Sequence, residues 1–245
     1  MIEVDGLTKR YGDFTAVDRL SLNVQRGELF ALLGPNGAGK TTTLRMLMGF
    51  LKASGGSARI AGRDCFEERV ELKRVVGYLP DDPVFYDYLR GRELIEFSGE
   101  MHGLTREVIA ERSAPLVREL ELAEALEDYA VNYSRGMKKK LSLVCALIHE
   151  PELLILDEPS SGLDPIATRR LNQLLLARKA AGVTIVLSSH LLDQVEKLCD
   201  RVAIVTHGRL AAVGTLDELR ANLHPGGSLE DVFFAVAGGG PGEAT

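Results

Sequence analysis

The spacing of apolar and polar positions changes several times along the chain, and each change predicts an element. Ile2, Val4 and Leu7 open with strand-like alternation, 14–24 is rich in alternating apolar residues, and 28–33 is a short buried run, so three strands are expected first. From Gly39 the pattern turns helical, with Leu44, Leu47 and Met48 three and four apart, ending near Gly49. A strand over 75–79 comes next, then two or more helices over 90–122, broken near Gly103 and Thr105. A helix starting near Ser134 puts Leu141, Val144, Cys145 and Ile148 on one stripe with Leu143 and Leu147 beside it, so most of its surface should be buried. After it, strands over 153–156, 183–187 and 202–205 alternate with helices over 165–181 and 191–198. That alternation predicts an α/β fold with a mostly parallel sheet covered by helices on both faces. Past Leu219 the pattern weakens, and the glycine-rich stretch from Gly238 to Gly242 is expected to be mobile.

Composition narrows the class. The 245 residues suit one sizeable domain with at most a small appendage, and 45% apolar with 26% charged residues excludes disordered and fibrous chains. With 29 basic against 35 acidic side chains the formal charge is −6, so no global basic field exists to attract nucleic acid, and none is expected as a partner. No apolar run approaches the roughly 18 residues of a membrane span, and Met1 leads straight into charged sequence, so a cytoplasmic location is expected. Cys65, Cys145 and Cys199 are far apart and odd in number, which reads as reduced thiols acting as small apolar residues.

Between the predicted strand and helix lies Gly34-Pro35-Asn36-Gly37-Ala38-Gly39-Lys40-Thr41, a match to the phosphate-loop pattern GxxxxGK[ST] in its proper context. Glycines let the backbone curl so that N–H groups converge on phosphate oxygens, and the helix that follows adds the positive end of its dipole. Lys40 suits the β and γ phosphates, and the Thr41 hydroxyl suits Mg²⁺. Leu153-Leu154-Ile155-Leu156 ends in Asp157 and Glu158, two carboxylates at the carboxyl end of a strand, where parallel sheets bind ligands. Asp157 fits the Mg²⁺ shell. Glu158, expected on the opposite face of the strand, fits a base for the water that attacks the γ-phosphate.

With these motifs in order, the chain from about Met1 to Leu219 resembles the ATP-binding subunits of ABC transporters. Tyr11 stands where that family stacks an aromatic ring on adenine, Ser134-Arg135-Gly136-Met137 stands at the signature position, Ser161-Gly162-Leu163-Asp164 resembles the D-loop, and His190 resembles the switch histidine that touches the γ-phosphate. The resemblance implies a phosphate-loop NTPase with an N-terminal antiparallel β subdomain and a helical subdomain at about 82–149, within an ATPase domain over 1–221 and a short extension over 222–245. It implies ATP and Mg²⁺, with nucleotide contacts running through Thr42 and Asp81 near the metal beside Thr41 and Asp157. It also implies a head-to-tail dimer, with itself or a paralogue, in which Ser134 and Gly136 of one protomer meet the nucleotide of the other. A polytopic membrane permease would be the further partner, placing the chain peripherally on the inner face of the cell membrane.

Three positions depart from the family pattern: Arg135 replaces a glycine, Met137 a glutamine, and Asp81 the glutamine that senses Mg²⁺ and connects to the permease. These departures, with the terminal 228–233 segment, are similar to the type-two exporter branch serving drug, polysaccharide, lipid or sodium efflux. Two other readings compete: a soluble ABC ATPase of translation, repair or cluster assembly, and a weakly hydrolysing regulator. Against the first stand the lack of a second nucleotide domain, of a long coiled-coil insertion and of a strongly basic surface. Lys138, Lys139 and Lys140 read as solvated surface, and Leu229, Val232 and Phe233 as a small apolar stripe suited to packing on the body or on a partner.

Overall fold

The computed structural model describes residues 1–223 and 228–237, so the expectation of a mobile tail over 238–242 lies outside the described residues. The chain divides into two units, one formed by residues 1–72 with those from 184 onward, the other by 73–183.

In the first unit, β1 (Ile2–Tyr11) turns through Gly12 and Asp13 into antiparallel β2 (Phe14–Val24), pairing Tyr11 with Phe14 and Ile2 with Val24. Ile2 and Val4 on β1 and Leu20 and Val24 on β2 are buried in alternation, and register shifts between Val4 and Leu7 and between Leu7 and Lys9 interrupt it, with Leu7 and Val17 buried as well. On the other edge of β1 lies β4 (Gly55–Ile60), followed by the two-residue β5 (Arg63–Asp64). A Cβ on Gly56 would lie 2.2 Å from the Gly6 carbonyl oxygen, so only glycine permits that approach.

The same unit holds β3 (Leu29–Leu33), buried along its whole length and flanked in parallel by β8 (Thr184–Ser189) and β9 (Arg201–Thr206). Burial on both sides is why it reads as an unbroken apolar run. Antiparallel β10 (Arg209–Thr215) pairs with β9. Helices α1 (Lys40–Leu47), α2 (Arg69–Leu72), α7 (Leu192–Leu198), α8 (Leu216–Leu223) and α9 (Leu229–Ala237) complete the unit. Ser228 and Asp231 cap α9 reciprocally, each accepting the other's backbone N–H, and Leu229 and Val232 are buried while Phe234 is exposed. The apolar stripe anticipated there therefore packs on the body of the chain.

In the second unit, β6 (Val76–Leu79) runs parallel to β7 (Leu153–Asp157). Helices α3 (Gly91–Met101), α4 (Arg106–Glu119), α5 (Arg135–Leu147) and α6 (Pro165–Ala180) complete the unit, α5 lying on β6 with α3 and α4 against α5, and the helical stretch anticipated over 82–149 lies inside this unit. A Cβ on Gly77 would lie 2.1 Å from the Ala146 carbonyl oxygen, so α5 rests directly on the β6 backbone. The His102 and His149 rings stack with centroids 3.8 Å apart, and burial, then the neighbouring His102, pulls the His149 pKa down to about 4. None of the three cysteines is in a disulfide, and burial pushes the thiols of Cys65 and Cys145 up to about 12, as expected of inert, packed residues.

Candidate functional site

The phosphate loop lies in the first unit, between β3 and α1. Two of its glycines are fixed by space. A Cβ on Gly34 would sit 2.3 Å from the Val205 carbonyl oxygen, and one on Gly39, at φ +100°, would sit 2.5 Å from that of Ala16. Gly39 precedes α1 in a left-handed conformation, and Gly37 at φ +80° adds a second left-handed turn. The Lys40 side chain is buried and donates from Nζ to the Gly34 carbonyl at 2.7 Å and to that of Pro35 at 3.2 Å. Its charge is thus held at the mouth of the loop by two carbonyl oxygens, acceptors that a phosphate can replace. Pro35, Asn36 and Gly37 are exposed, Ala38 is buried, and Thr41 and Thr42 are half-buried in the first turn of α1.

Tyr11 ends β1 with its ring half-exposed and the Lys9 ammonium 5.1 Å from the ring centroid. His190 is exposed just after β8, where the buried Ser189 hydroxyl accepts the Leu191 N–H at 3.0 Å and starts the turn into α7.

The second unit carries the acids. Asp157 is buried, 1% exposed, as the last residue of β7. A carboxylate buried at a strand end, followed by a second acid, is a hard-oxygen donor set of the kind a Mg²⁺-nucleotide needs. Glu158 adopts φ +46°, a left-handed conformation costly for a side chain with a Cβ. Strand geometry ends there, so the strict alternation expected to turn Glu158 to the opposite face stops at Asp157. The helix after Pro165 is capped not by these two acids but by Asp164, whose Oδ1 accepts the Ala167 N–H at 2.8 Å.

Ser134 caps α5, its hydroxyl accepting the Met137 N–H at 3.2 Å. Gly136 and Gly162 meet closely here: a Cβ on Gly136 would lie 3.1 Å from the Gly162 carbonyl oxygen, and one on Gly162, at φ +78°, 3.1 Å from Arg135 Cδ. The signature-like and D-loop-like segments therefore meet where Gly136 faces Gly162 and Leu163, with the Arg135 stem lying over Gly162.

Asp81 follows β6 and faces two cations. Arg135 Nη2 lies 3.3 Å and Lys139 Nζ 3.2 Å from its Oδ1, and Lys139 also donates to the Asp81 backbone oxygen at 2.7 Å. Lys139 is 1% exposed, which corrects the reading of the triple-lysine run as wholly solvated. The available signal was the burial of α5 almost all round, which leaves a mid-helix lysine no solvent side.

Comparison with known proteins bears on this arrangement. The family model described as ABC transporter matches residues 17–161. An uncharacterized ABC transporter ATP-binding protein of Nostoc sp. is 43% identical over 81% of this chain and 59% of its own length. The daunorubicin resistance ATP-binding protein DrrA3 of Streptomyces coeruleorubidus is 38% identical over 97% of this chain and 74% of its own. A solved structure described as the ATP binding subunit of an ABC transporter superposes with a TM-score of 0.91 at 35% identity, covering 96% of this chain and 99% of that one. The chain thus spans between 59% and 74% of these two curated relatives.

Proposed function

The chain belongs to the ABC transporter family, and we propose that it is the ATP-binding and ATP-hydrolysing subunit that powers a separate membrane permease working as an exporter. The observation that carries this reading is the phosphate loop, with Lys40 held on its own carbonyls and glycines where no Cβ fits. The name of the DrrA3 relative, a resistance ATP-binding protein, supports export over the soluble alternatives. No helix among the described residues is long and apolar enough to cross a membrane; in this reading the permease makes the pathway.

In this reading MgATP is the substrate. The loop N–H groups and Lys40 bind its phosphates, Lys40 turning from the carbonyls of Gly34 and Pro35 toward them, while Tyr11 takes the adenine. Thr41 and Asp157 supply hard oxygens to the Mg²⁺ that accompanies the nucleotide. Glu158 takes the proton of the attacking water; the water oxygen bonds to the γ-phosphorus as the bond to the β,γ-bridging oxygen breaks, and ADP departs with that electron pair. His190 holds the γ-phosphate oxygens. Ser134 and Gly136 contact the nucleotide of a second copy, or of a paralogue, in a head-to-tail dimer, with Ser161 to Asp164 alongside.

A permease contact is supported by an apolar groove of about 560 Å³ in the second unit, lined by Val84, Tyr86, Phe97 and Met101, all of them exposed. Co-purification of the tagged chain from detergent-solubilised membranes tests the partner: a polytopic membrane protein is expected, and its consistent absence would return the weight to a soluble ATPase. Glu158→Gln tests the chemistry, and is expected to slow hydrolysis about 10²- to 10⁴-fold while trapping a dimer on gel filtration with MgATP.

A further inference from the structure

The charge cluster around Asp81 has an uneven construction. One carboxylate oxygen faces two cations, both carried by α5, one turn apart. Lys139 is sealed from solvent and is tied to residue 81 twice, through the carboxylate and through the backbone oxygen. Arg135 keeps about half of its side chain in water and makes one bond, at 3.3 Å. An exposed ion pair of this kind contributes little and exchanges readily, whereas taking the anion away from a buried ammonium strands a charge. Asp81 and its two partners therefore carry a surplus positive charge, and its mobile share is the Arg135 guanidinium beside Gly162.

We propose that Asp81 is the fixed counter-ion of Lys139 and the temporary holder of Arg135, which it surrenders to the polyphosphate presented by a second copy of this chain. The inference rests on the head-to-tail reading above. It gives Asp81 a positioning task in place of the metal coordination anticipated from the sequence, and makes Arg135 an added phosphate ligand. A planar guanidinium already extended from a helix N-terminus exchanges one carboxylate oxygen for phosphate oxygens without rebuilding the helix. Lys139 keeps the negative charge of Asp81 from following Arg135 toward the nucleotide.

The test uses the full chain with Glu158→Gln, and reads the ATP concentration giving half-maximal dimer by analytical ultracentrifugation. Asp81→Asn is combined with Lys139→Gln so that the buried ammonium is not stranded, the interaction of Lys139 with Asp157 being lost in both backgrounds alike, and the pair is measured with Arg135 intact and with Arg135→Gln. With Arg135 intact, removing its holder is expected to lower the half-maximal ATP concentration about two- to fivefold, matching an exposed ion pair. With Arg135→Gln the same pair is expected to lack that gain, because nothing is left to release. An equal shift in both backgrounds would make Asp81 merely structural, and no shift with Arg135 intact would overturn the exchange. Failure of the Glu158→Gln chain itself to dimerise with ATP would instead refute the head-to-tail reading.

Discussion

Lys40→Met separates two roles that one side chain plays. Lys40 donates to the buried Gly34 carbonyl at 2.7 Å and to that of Pro35 at 3.2 Å. Hydrogen bonds from a charged donor are worth about 1.5–3 kcal/mol each, so two lost bonds cost about 3–6 kcal/mol before the apolar methionine tail recovers part by burial. A net loss of roughly 1–3 kcal/mol in urea unfolding of the nucleotide-free chain is expected. The same number of charged contacts goes missing toward phosphate, which weakens ATP about 10²- to 10⁴-fold. The two effects are read in one series of melts, because ligand stabilises by RT ln(1 + [L]/Kd) and the variant should show almost no ATP-dependent rise. An unchanged nucleotide-free stability would refute the role of the two carbonyls. A wild-type response to ATP would refute the phosphate reading of the whole loop.

Other outcomes follow from the same geometry. Gly162→Ala meets a left-handed backbone and the Arg135 stem together, so a loss of about 1–3 kcal/mol is expected in thermal unfolding, and Gly136→Ala, with only the Gly162 carbonyl to clear, should lose less. His149 titrates near 4 in the fold against its ordinary 6.5. Its protonation is thus resisted by the native state, and stability should be full above about 6.5 and fall as the pH drops from there toward 4. Discounted for a half-buried ring, the loss is of order 1–2 kcal/mol, and His149→Gln should flatten that part of the pH–stability curve.

Much of the fold was legible because its strongest periods are long or unbroken. The run of β3, the acid-tipped β7, the loop between β3 and α1 and the helix α6 all appear where the pattern predicts them. The elements missed carry little apolar signal: β4 opens on two glycines and a serine, all exposed, and β10 is a sheet edge whose residues are mostly solvent-facing. At the site, residue identities were visible but their neighbours were not. Ser134 and Asp164 each cap a helix, a role compatible with a second one toward nucleotide. The pairing of Asp81 with Lys139 spans 58 residues and had no local signature. Strand alternation gives no orientation for Glu158, because the backbone leaves strand geometry at that residue.

The buried strand β3 has a cost during synthesis. Just before it, Gly27 donates its N–H to the Thr184 hydroxyl at the start of β8, 157 residues further along, and Leu29, its first residue, donates to the Asp200 carboxylate just before β9, 171 residues further. A ribosome adding about 5–20 residues per second needs roughly 8–30 s to reach those partners. For that interval Leu29–Leu33 leaves the exit tunnel as an apolar ribbon with both edges open, the sort of segment that pairs with other chains. Expression yield should therefore depend on how well the cell shields the first seventy or so residues, and slowing elongation late in the message should harm this protein more than slowing it early.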